Sequence, residues 1–112
     1  MTNTRCSLDI LRDCIPIFEV LKDEQRQDIL MNLFKHRELC VNDIVEMSCL
    51  SKPAISHHLK LLHQSGLVSY RKEGTKKLFK PELDSGLTLL KDLLVSLEKE
   101  KRGLEENKNV TG

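Results

Sequence analysis

Apolar positions along the chain form helical stripes interrupted by a single stretch of two-residue alternation. Leu8, Leu11, Ile15, Phe18 and Leu21 recur at three- and four-residue intervals, the spacing of one helix face. Pro16 within that run predicts a kink or a restart, because proline has no N–H to donate. Asp23 is placed to cap a second helix whose stripe is Ile29, Leu30, Leu33 and Phe34. A short third helix is predicted from about Val41 to Met47. Ser51 is then an N-cap with Pro53 in the first turn, where a missing N–H costs nothing. The helix from Lys52 to Gln64 puts Ile55, Leu59 and Leu62 on one face, and Ser65-Gly66 ends it.

The period then changes. Val68, Tyr70 and Lys72 alternate with their neighbours, Glu73-Gly74 makes a turn, and Leu78-Phe79 lie in a return strand. After Pro81, Leu83, Leu87, Leu90, Leu94 and Leu97 mark a long amphipathic helix. A hairpin directly after a helix-turn-helix is a winged helix. The expected fold is mostly α (α+β): a three-helix core containing the helix-turn-helix, a two-stranded wing, and helices at both ends. Residues 1–100 are expected to form this one domain, and the polar stretch 101–112 to fray.

Composition narrows the function. A chain of 112 residues supports one small core and leaves no room for a catalytic domain beside it. It has no Gly-rich phosphate loop and no HExxH, so an enzyme is not expected. No apolar run reaches the roughly 18–20 residues that span a bilayer, so no membrane partner is expected. The start MTNTRCSLDI lacks the basic-then-apolar pattern of a secretion signal, which makes the cytoplasm the expected compartment. There the four cysteines are expected as reduced thiols or metal ligands.

The net charge of +1 conceals an asymmetry. Between Lys52 and Lys80 seven Lys or Arg stand against Glu73 alone, whereas Arg5 to Glu38 holds six against seven acids. A basic half on a neutral chain is the footprint of a nucleic-acid face, although a solvated surface has the same composition. A winged helix that binds partner proteins is the rival class, and it has no need of such a face. With Ile55, Leu59 and Leu62 turned inward, the opposite side of their helix carries Lys52, Ser56, His57 and Lys60. Ser56 and His57 suit base edges, while Lys52 and Lys60 suit phosphates. In the wing, Arg71, Lys72, Lys76 and Lys77 suit the phosphate backbone or minor groove. His58 lies nearer the core and is expected to make a structural hydrogen bond.

The run LSKPAISHHLKLLHQSGLVSYRKEGTKKLFK, from Leu50 to Lys80, resembles the recognition helix and wing of the ArsR/SmtB family of repressors. Upstream, LKDEQRQDILMNLF and RELCVNDIV resemble that family's second and third helices. The resemblance implies a homodimer joined through its first and last helices, bound to a palindromic double-stranded operator and released by an inducer. Two recognition helices on a two-fold site double the contacts of one.

Metal-sensing relatives carry Cys-Val-Cys in the third helix, where this chain has Cys40-Val41-Asn42. Their other site uses histidines on the last helix, and there is no histidine after Pro81. What the resemblance leaves is a three-sulfur set, Cys6, Cys14 and Cys40, for arsenite, antimonite or cadmium. A redox role for Cys40 alone is the second possibility, since a helix N-terminus favours the thiolate. The third is that the cysteines are small buried hydrophobes and the repressor has no metal or redox response. Cys49 replaces the glycine usual in the family between the third and fourth helices. It is expected to pack, with strain if its backbone is left-handed.

Overall fold

The computed structural model describes residues 6–111, with side chains described for residues 6–105. Five helices and a hairpin follow in the order α1 (Ser7–Leu21), α2 (Glu24–His36), α3 (Val41–Met47), α4 (Lys52–Gln64), β1 (Val68–Glu73), β2 (Lys76–Pro81) and α5 (Asp84–Thr111). The architecture is the expected winged helix. Ile29, Leu30 and Leu33 of α2, Ile44 of α3 and Ile55, Leu59 and Leu62 of α4 meet in one buried cluster. Val68 and Phe79 of the hairpin close it from the side.

Local chemistry sets each boundary. The Asp23 carboxylate accepts the N–H groups of Gln25 at 2.8 Å and Arg26 at 3.2 Å, satisfying two free donors at the start of α2. Ser51 Oγ accepts from Ala54 N–H at the start of α4. At the other end Leu67 N–H reaches back to Leu62 C=O and Gly66 N–H to His63 C=O, with Gly66 at φ 81°. This is a Schellman stop, and it needs the glycine because a Cβ is strained at that angle. The hairpin turns through Gly74-Thr75, with Gly74 at φ 64° and Glu73 opposite Lys76.

Two features depart from the pattern-based expectation, and one helix runs past the expected end of the domain. α1 runs through Pro16 without the predicted restart, and Pro16 lies on the solvent side, where the carbonyl it leaves unpaired is open to water. α5 runs on from Lys101 to Thr111, and Gly112 lies outside the described residues. Leu39 pairs with Phe79 through hydrogen bonds of 3.0 and 2.8 Å, adding a bridge to the wing that a single residue could not announce in sequence.

α1 and α5 pack together outside the main core. Ile10, Cys14 and Leu93 form a second buried cluster between them. Ile17 of α1 joins the main core, while other apolar side chains of both helices are exposed: Leu8, Leu11, Ile15 and Phe18 on α1, and Leu87, Leu94, Val95, Leu97 and Leu104 on α5. Among the described residues no helix is long and apolar enough to cross a membrane.

Candidate nucleic-acid interface

The recognition helix is oriented by its buried side and by one polar brace. Arg26 on α2 donates through Nε to the Val20 carbonyl at 2.8 Å, and its Nη1 lies 3.2 Å from His58 Nδ1. His58 is thus tied inward, as expected. Partial burial holds its pKa below the usual 6.5, with the Asp23 carboxylate acting in the opposite sense. In that neutral form Nδ1 accepts the arginine proton. One residue, about 100° round the helix, separates His58 from His57, which is exposed.

The outward residues of α4 face the wing across an open groove of about 530 Å³. Ser56 and Lys60 line it from the helix and Lys77 from the wing, so three expected residues share one concavity. His63, Gln64 and Tyr70 line it too, beyond the residues expected there. The signal was present: His63 and Gln64 stand seven and eight residues after Ser56, two helical turns along the same side. Tyr70 stands in the wall of this groove. Its ring lies 5.3 Å from Phe79 and 5.2 Å from His63, and Lys77 Nζ sits 4.7 Å above it. That cation–π contact holds the lysine over the groove.

Lys52, Lys76 and Lys77 converge on a second cleft of about 420 Å³ between α3 and the wing tip, with Asn42, Thr75 and Cys40. Lys72 is exposed and stands directly opposite Lys77 in the hairpin. Like charges in cross-strand positions repel, so folding alone gains nothing from that pair.

Arg71, one of the residues expected at the phosphate backbone, is engaged by carboxylates within the chain. Its guanidinium donates to both Glu38 oxygens, at 3.0 and 3.1 Å, and to Glu73 at 3.1 Å. The fork is engaged by carboxylates, which raise its pKa and hold that of Glu38 down. No local pattern marks this pairing, because Glu38 is 33 positions away.

The cysteines are dispersed within the chain. Cys14 is fully buried at 0% exposure in the α1–α5 seam, and Cys6 is exposed before α1. Cys40 is 8% exposed at the start of α3, where its thiol donates to Asp43 Oδ2 at 3.2 Å. The Cys40 backbone N–H donates to the same oxygen at 3.1 Å, and these two bonds hold the Asp43 carboxyl below its usual range. Among the described residues no three His, Cys, Asp or Glu side chains form a group able to hold a metal. Cys49 is exposed, contrary to its expected packing. Among the described non-glycine residues only Arg37 has a positive φ, so the Cys49 backbone is unstrained.

The family model described as "Bacterial regulatory protein, arsR family" matches residues 23–70, from the cap of α2 to the foot of the wing. The arsenical resistance operon repressor of Escherichia coli strain K12 is 45% identical over 60 residues, 54% of this chain and 51% of that protein. The chain thus matches about half the length of that relative. Reduced HlyU from Vibrio cholerae N16961 is 30% identical over 63% of this chain and 74% of that one, with a TM-score of 0.59. An ArsR-like transcriptional regulator from Rhodococcus sp. RHA1 shares the fold at a TM-score of 0.78 and 23% identity, covering 89% of this chain and 93% of that one. These relatives are transcriptional regulators, not enzymes. The winged helix, the capped recognition helix and the sequence match across both agree: the chain belongs to the ArsR family of bacterial regulatory proteins.

Proposed function

We propose that this chain is a cytoplasmic, homodimeric repressor that binds a palindromic DNA operator and leaves it when an inducer reaches its cysteines. The observation that carries the DNA reading is the gathering of cations that fold stability does not require. Lys52, Lys76 and Lys77 surround one cleft, Lys60 and Lys77 flank the next groove, and Lys72 opposes Lys77 across the hairpin. A polyanion relieves that repulsion. In this reading Lys52, Lys60, Lys72, Lys76 and Lys77 grip phosphates, Ser56 and His57 meet base edges, and Arg71 stiffens the wing.

Titration of specific and scrambled duplexes at several salt concentrations tests it. His57→Ala is expected to cost about 1–3 kcal/mol on the cognate site and to relax discrimination at one or two base pairs. Lys76→Ala is expected to weaken both duplexes alike and to lower the salt slope by about one unit per subunit. A salt-independent affinity would instead point to a protein-binding winged helix.

For the inducer, thiophilic species such as arsenite, antimonite or cadmium, or a thiol oxidant, fit the chemistry of Cys40. Within one chain Cys14 and Cys40 lie in different parts of the fold, so a set with Cys6 and Cys14 would draw these from the second subunit. Cys40→Ser is expected to keep DNA binding, since serine caps a helix well, and to lose release by arsenite or oxidant.

A further inference from the structure

A separate pocket of about 300 Å³ opens between α2 and the α3–α4 turn. Three sulfur-bearing side chains line it: Met31 from α2, Met47 at the end of α3, and Cys49 in the turn. The chain has three methionines, one of which is Met1, so both internal ones border this single pocket. Methionine usually fills gaps inside a core. Here Met31 is 59% exposed and Met47 41%, and the Cys49 thiol is exposed beside them. Core packing therefore does not account for their placement.

We propose that this pocket binds a soft monovalent metal ion of the Cu(I) class through the thioethers of Met31 and Met47 and the thiolate of Cys49. Thioether and thiolate sulfur select such ions over the harder divalent ones. Zinc-type binding needs several histidine, thiolate or carboxylate donors, and the described residues supply no such group of three. Asp28 on the same wall adds a negative charge for an arriving cation, and the polar side chains of Gln25, Asn32 and Ser48 line it too. Binding replaces the Cys49 thiol proton by the metal ion and releases that proton to solvent, with no change of oxidation state.

The three donors tie α2 to the turn that leads into the recognition helix, and Cys49 stands two residues before the Ser51 cap. Metal binding would therefore shift α4 against the core, and DNA affinity would fall. That regulatory step rests on the repressor reading; the metal site itself does not. It is also distinct from Cys40, which lines a different cleft.

The test uses the full chain labelled at methionine ε-methyl carbons and titrated with Ag(I), a redox-inert stand-in for Cu(I). The Met31 and Met47 methyl resonances are expected to shift together as one equivalent is added, while that of Met1 stays in place. Cys49→Ser is expected to weaken the response, and Met31→Leu to weaken that of the Met47 methyl, which remains as the probe. These are exposed, nearly volume-conserving changes that leave the fold intact. Cys40→Ser is expected to change nothing in this readout. Stationary Met31 and Met47 methyls, or the same shift in Cys49→Ser, would overturn the site. A full methyl shift with unchanged operator affinity would uphold the site and overturn only its coupling to DNA. A protein that never binds DNA would reject the repressor reading and leave the methyl result standing.

Discussion

Arg37 holds φ 74° and ψ −54°, and the Glu38 N–H donates to the His36 carbonyl at 2.9 Å. This is a γ-turn of the strained, positive-φ kind, built on a residue with a Cβ. Such backbone costs about 1–3 kcal/mol, against roughly 0.5–1 kcal/mol for the extra unfolded-state freedom of glycine. Arg37→Gly is therefore expected to raise stability by about 1 kcal/mol, read as a higher urea midpoint. His58 supplies a pH-dependent counterpart. Its folded pKa lies below the usual 6.5, so the unfolded chain takes up a proton first as pH falls. Its contribution is whole above about pH 6.5 and is lost as pH drops through the folded value. Urea midpoints are expected to fall from pH 7.5 to 5.5, and His58→Gln is expected to flatten part of that decline.

The wing is fastened as an element at two points. The Leu39–Phe79 bridge joins it to the segment before α3, and Glu38, the neighbour of Leu39, holds Arg71 in a two-bond grip. A two-stranded hairpin is marginal alone, so these attachments keep it at a defined angle to α4. Glu38→Gln removes the charge and one half of the fork. The expected result is faster amide hydrogen exchange in β1 and β2, with α4 protection unchanged. Equal acceleration in α4 would show that Glu38 supports the whole core instead. The same logic explains why Tyr70 is half solvent-facing yet well placed: His63, Phe79 and Lys77 occupy its ring from three sides.

At the scale of the whole molecule, α1 and α5 leave an apolar face of Leu8, Leu11, Ile15, Phe18, Leu87, Leu94 and Leu97 on one chain. Exposed apolar side chains of this number suit an interface, and in the proposed homodimer a second copy would present the same face to it. Leu94 is 62% exposed, so Leu94→Glu leaves the single-chain fold intact and inserts a charge in the joint. Sedimentation equilibrium is expected to show a dimer for the parent chain and a monomer for the variant. Operator affinity is expected to fall with the loss of the second recognition helix. A stable monomer of the parent chain at micromolar concentration would remove the basis for the dimer.

Much of this protein was determined by short-range pattern. The spacing of Ile55, Leu59 and Leu62, the Ser51 cap and the Ser65-Gly66 stop specify α4 within one residue run, because helix period and capping are local properties. The same locality makes the hairpin legible around Gly74, and makes the outward placement of Ser56 and His57 legible from the inward placement of their neighbours. Tertiary structure alone decided the rest. Glu38 meets Arg71 across 33 positions, Arg26 meets His58 across 32, and Leu39 finds Phe79. No periodicity encodes such partners, since they depend on how finished elements pack. Packing likewise buried Cys14 in the α1–α5 seam and left Cys49 exposed beside Met31 and Met47. A thiol carries no local signal of its neighbours, so the sequence could name the cysteines but only the fold could sort them.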